Sequence, residues 1–161
     1  MKVAKIILAI IAVVLVVGSI LFCLPKSADT VLGTKEITTF SCIVTEMVFD
    51  EETHTIRHEA WKASYETNSD ETIEKLAGVL SSSRYRPMMR TFLRPSKFEI
   101  DGDYAVDLIL VLSDGSTHIF DFMGDDIILS RTSPISLLMR PTDREICARL
   151  SEFVKEIGQK Q

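Results

Sequence analysis

Few residues in this sequence are of the types and spacings that do chemistry. His54 and His58 lie four apart and Glu59 follows. The order is H-x-x-x-H-E in an expected strand, and a zinc centre needs three or four converging ligands, so these read as surface histidines. Ser116, His118 and Asp121 are the types of a hydrolytic triad. Such a triad needs serine, histidine and carboxylate in consecutive hydrogen-bond contact, which a single strand with alternating faces does not provide. The stronger pair is Asp107 and Asp121. If they stand opposite each other on neighbouring strands, their repulsion raises one pKa unless a cation or an arginine lies between them. That arrangement would suit a calcium ion or an acid/base pair; the alternative is two bridged or solvated carboxylates.

The second feature is charge segregation. Arg84, Arg86, Arg90, Arg94 and Lys97 occur with no acid among them, and Glu99 to Asp126 then holds eight acids and no Lys or Arg. Tyr85, Met88, Met89 and Phe92 are interleaved with the cations. One reading is a loop that binds a protein partner, an anionic lipid or a cell-wall polymer. The other is that the loop lies along the acidic sheet and neutralises it. No Gly-rich phosphate loop, G-x-S-x-G elbow, H-E-x-x-H or C-x-x-C motif is present, and nothing calls for a cofactor.

The elements that must position these residues begin with an apolar run. Ile6 to Leu24 is 19 residues without a charge. As a helix it rises about 28 Å, close to the ~30 Å hydrocarbon core of a bilayer. Lys2, Lys5 and the amino group favour holding the amino end in the cytoplasm and the rest outside. A cleaved signal peptide shares the charged start, and Val17-Gly18-Ser19 offers small residues to a peptidase. The apolar run nevertheless continues to Leu24, and Phe22 stands where a lipidated Cys23 would need a small neighbour. The expectation is an uncleaved, single-pass signal-anchor over 1–25, a polar linker over 26–35 and an extracytoplasmic domain over 36–161.

The 137 residues from Pro25 onward are enough for one core. They carry 16 Lys and Arg against 23 Asp and Glu, a net charge of −7, which argues against nucleic acid. Cys42 and Cys147 are too few for a disulfide framework and read as buried thiols, with pairing left open.

Alternation and turn residues give strands over 36–49 and 54–64, then 104–112, 116–123 and 127–130. The tightest hairpin can be placed in register. A three-residue Ser113-Asp114-Gly115 loop pairs Val106 with Phe122, Leu108 with Phe120 and Leu110 with His118, collecting the apolar residues on one face. Ser69 caps a helix with Ile73, Leu76, Ala77 and Leu80 on one stripe. Thr142-Asp-Arg-Glu145 reads as a capping box for a last helix that buries Ile146, Leu150 and Phe153 and stops at Gly158. Pro87 and Pro95 make 84–97 an irregular connection. The expected fold is α+β: an N-terminal transmembrane helix, then an antiparallel sheet of about five strands covered on one face by two helices.

An apolar anchor, a strand pair, the stretch SDETIEKLAGVLSSSRYRP (Ser69–Pro87), a meander containing LSDG (Leu112–Gly115) and a closing helix together resemble, in layout, the small membrane-anchored extracytoplasmic domains of Gram-positive bacteria. Such domains have no assigned chemistry, so the resemblance implies a location and a fold and carries over no site residue. The functional expectation is a non-enzymatic, membrane-anchored interaction or sensor domain. Its rival is an extracytoplasmic hydrolase or metal-dependent enzyme working through Asp107 and Asp121.

Overall fold

A computed structural model describes residues 2–88, 103–124, 127–131 and 137–161. Helix α1 (Lys2–Phe22) carries the apolar run. Its large side chains from Ile6 to Leu21 stand 48–69% exposed, with no protein packed over them. Among the described residues it is the one helix long and apolar enough to cross a membrane.

The segment expected as a linker is instead part of the packed domain. Strand β1 (Lys26–Ser27) leads directly into α2 (Ala28–Leu32), where the Ser27 hydroxyl accepts a hydrogen bond from the Thr30 amide at 3.3 Å. Gly33 ends this turn with φ 69°. A side chain there would meet Leu112 Cδ1 at 2.8 Å. Ala28 and Leu32 are buried in the core, so the polar composition of 26–35 concealed two anchoring positions.

The remaining elements are β2 (Ile37–Asp50), β3 (Thr55–Ala63), α3 (Asp70–Ser81), β4 (Arg84–Pro87), β5 (Tyr104–Leu112), β6 (Thr117–Met123), β7 (Ile127–Ser130), β8 (Leu137–Pro141), α4 (Ile146–Ile157) and β9 (Gln159–Lys160). A single 3-10 turn, Tyr65–Thr67, precedes α3. The architecture is mixed α+β with four helices and one antiparallel sheet of nine strands among the described residues, in the order β1-β4-β8-β7-β6-β5-β2-β3-β9. The expected sheet of about five strands was too small. Four short strands extend it, and two-residue or Pro-bearing strands carry almost no periodic signal.

The five expected strands form the centre of the sheet. The β5–β6 register is the one that burial selects: Val106 faces Phe122, Leu108 faces Phe120 and Leu110 faces His118, with Gly115 left-handed at φ 81°. One face of the sheet holds Phe40, Cys42, Val44, Val106, Leu108, Leu110, Phe120, Phe122, Ile128 and Met139, all buried. Helices α3 and α4 cover this face. Leu76 and Leu80 enter it from α3, and Ile146, Leu150, Phe153 and Val154 from α4, with Phe153 tilted against Phe40 at 5.9 Å.

One local expectation needs correction. The last helix starts at Ile146, and Glu145 makes no side-chain cap. Thr142 continues the sheet ladder instead: its amide donates to the Arg84 carbonyl at 2.8 Å and its hydroxyl accepts from the Arg84 amide at 3.1 Å. Gly158 does stop α4, but with extended backbone (φ −95°). Its smallness is needed because a Cβ would lie 2.6 Å from the Val154 carbonyl oxygen and 2.7 Å from that of Lys62.

Candidate functional site

The expected irregular connection begins as strand β4. Its Arg84 and Arg86 are exposed while Tyr85 and Pro87 are buried, the alternation of a sheet with one covered face. Pro87 is tolerated because of where its nitrogen points. The neighbouring Met88 amide donates to the Leu138 carbonyl on β8, so the nitrogen of residue 87 faces the other way. On that side β1 pairs only with Arg84 and Tyr85, and no ladder bond is lost. Tyr85 fixes the strand from within. It is fully buried, its hydroxyl donates to the Leu80 carbonyl at 2.8 Å, and burial pushes its pKa up.

The β4–β8 register sets Arg86 directly opposite Arg140, Tyr85 opposite Pro141 and Pro87 opposite Met139. Arg86 and Arg140 therefore share the face of the sheet away from α3 and α4. Together with Pro141, Thr142 and Arg144 they line a cleft of about 270 Å³. Arg140 and Arg144 lie outside the stretch that the sequence singled out. The apolar run Leu137-Leu138-Met139 before Arg140 was the available signal for a strand with one outward cation. Arg90, Arg94 and Lys97 lie outside the described residues.

Asp107 and Asp121 do stand opposite each other across β5 and β6. They do not form an open acid pair. The Arg131 guanidinium donates from Nε to Asp121 Oδ2 at 2.5 Å, and Asp121 is buried to 7% exposure beneath this contact. Asp107 remains exposed. Its pKa is raised, first by partial desolvation and then by the Asp121 charge, while Arg131 lowers it. The arrangement is a facing carboxylate pair of which Arg131 engages one member, Asp121.

The triad types fall apart on the two faces. His118 lies on the helix-covered side with its ring edge-on to Phe120, whereas Asp121 lies on the opposite side. His54 sits in the β2–β3 turn at φ 50°, 6.3 Å from the Phe49 ring, and His58 of β3 pairs with Met47 of β2. Among the described residues no group of three or more His, Cys, Asp and Glu is placed to hold a metal ion. Cys42 and Cys147 are both buried thiols outside any disulfide. Burial raises the Cys42 pKa, and the Cys147 thiol donates to the Gly124 carbonyl at 3.2 Å.

Compared with known protein families, curated proteins and solved structures, the chain matches none.

Proposed function

We propose that the chain is a single-pass, membrane-anchored interaction domain without catalytic activity, held outside the cytoplasm and meeting an anionic partner through its arginine-bearing sheet edge. The observation that carries this reading is α1. Its apolar side chains are uncovered on every side, and only Cys23, Leu24 and Pro25 separate it from β1. An uncovered helix whose residues from Ile6 to Phe22 carry no charge needs an apolar solvent, and with its interior backbone groups bonded within the helix it is suited to hydrocarbon. Lys2, Lys5 and the amino group before the span favour an amino end inside and a domain outside.

The enzymatic reading through Asp107 and Asp121 has less support, because Arg131 already engages the second carboxylate. Protease added to intact spheroplasts tests the proposal. Digestion of residues 26–161 with survival of an anchored amino-terminal fragment is the expected result. A protected domain, or a mature amino terminus near Ile20, overturns it.

A further inference from the structure

Two arginines that face each other across neighbouring strands repel, a placement that costs stability on an exposed sheet surface. Here Arg86 and Arg140 are such a pair, at the directly bonded rung between the Arg84–Thr142 and Met88–Leu138 hydrogen bonds. Arg144 and the Thr142 hydroxyl bring a third guanidinium and a neutral donor to the same cleft, and no acid is among the described residues that line it. The Arg84–Thr142 bonds, the buried Tyr85 and the rings of Pro87 and Pro141 fix the backbone beneath it. The cations therefore project from a rigid sheet edge. Arg140 and Arg144 each already make a further contact. A guanidinium carries five N–H donors, and one carboxylate engages two of them at most, so such a contact does not exhaust either side chain.

The cleft is also near the anchor. β1 starts three residues after α1 and pairs with β4, which pairs with β8. Three residues reach at most about 11 Å, and two strand spacings add about 10 Å, so the cleft lies within about 20 Å of the end of the apolar helix.

We propose that Arg86, Arg140, Arg144 and Thr142 form a binding site for a phosphate group, whose nearest source is the headgroup of an anionic phospholipid in the membrane that holds α1. Planar guanidinium forks match the paired oxygens of a phosphate, and an anion between Arg86 and Arg140 cancels their repulsion. The inference names the ligand class for the anionic partner of the preceding section and rests on that reading for the identity of the membrane source.

The test uses the full chain in neutral detergent micelles. Binding is followed by calorimetry and by thermal midpoint, with inorganic phosphate against sodium chloride of equal ionic strength, and with micelles doped with phosphatidylglycerol against phosphatidylcholine. Phosphate and phosphatidylglycerol should both bind and raise the midpoint. Arg86→Ser should weaken both about tenfold without lowering the anion-free midpoint, since Arg86 is exposed and its loss relieves the repulsion with Arg140. Arg86→Lys keeps the charge without the fork and should fall between parent and Arg86→Ser. Binding of inorganic phosphate alone supports the site and assigns it to a soluble phosphate ester. No response beyond chloride in either arm, or an Arg86→Ser chain that binds like the parent, overturns the proposal. Micelles have no inside or outside, so failure of the spheroplast experiment is a separate outcome.

Discussion

Arg84 and Thr142 are joined by two reciprocal hydrogen bonds, amide to carbonyl at 2.8 Å and amide to threonine hydroxyl at 3.1 Å. The hydroxyl thus extends the β4–β8 ladder beyond the last backbone pair, Tyr85 with Pro141. This contact brings the chain leading to α4 back to the arginine strand. It also explains why Thr142 is not at the start of a helix: its side chain is already engaged.

Thr142→Val should therefore lower the stability of the chain by about 1 kcal/mol, the net worth of one hydrogen bond. Glu145→Ala should cost less than about 0.5 kcal/mol, because its side chain caps nothing. Urea unfolding of both variants checks the pair. The reverse order of effects would restore the capping box.

Leu150 is fully buried at the junction of α4 and the sheet. Leu150→Ala should cost roughly 2–5 kcal/mol, read from the urea midpoint. A loss below about 1 kcal/mol would mean that α4 does not dock through this residue.

The Asn68 side chain acts as a backbone substitute for β2. Its Oδ1 accepts from the Phe40 amide at 2.7 Å and from the Thr39 hydroxyl at 3.1 Å, while its Nδ2 donates to the carbonyls of Phe40 at 3.0 Å and Ser64 at 2.9 Å. Asn68→Ala leaves these groups to water or unpaired and should cost about 1–3 kcal/mol. Asn68→Asp should also destabilise at neutral pH, because a carboxylate cannot donate to the two carbonyls. Equal stability of Asn68→Asp and the parent at pH 7 would sink this account.

The raised pKa of Asp107 has a definite sign in stability. An acid that binds its proton more tightly when folded favours folding at low pH. That contribution is lost as pH rises from the unfolded value of 3.8 through the higher folded one. Asp107→Asn should raise the thermal midpoint at pH 7, and the advantage should shrink as pH falls below the carboxylate range. A constant difference at all pH values would assign the effect to packing rather than charge.

Cys42 and Cys147 are buried and not in a disulfide, and burial raises the Cys42 pKa. A thiolate is the reactive form, so neither should alkylate in the native chain. Iodoacetamide added after denaturation without reductant should label all three cysteines, measured by intact mass. Labelling of one alone would reveal a disulfide between Cys42 and Cys147.

The sequence by itself determined what depends on local pattern. The charge-free run from Ile6 to Leu24 specified α1, alternation and the Ser113-Asp114-Gly115 loop specified the β5–β6 register, and Ser69 specified the start of α3. Hydrophobic period and capping chemistry act within a few residues, so they can be read along the chain. Only the tertiary structure decided the edge of the sheet. Lys26–Ser27, Arg84–Pro87 and Leu137–Pro141 are too short to show a period and become strands only where a partner bonds to them. The same holds for the site. Arg86 and Arg140 lie 54 positions apart and meet through β-pairing, while Arg131 reaches Asp121 after a strand reversal. Such meetings are set by which backbones hydrogen-bond across the sheet, a choice made by burial of the whole apolar face rather than by any stretch of sequence.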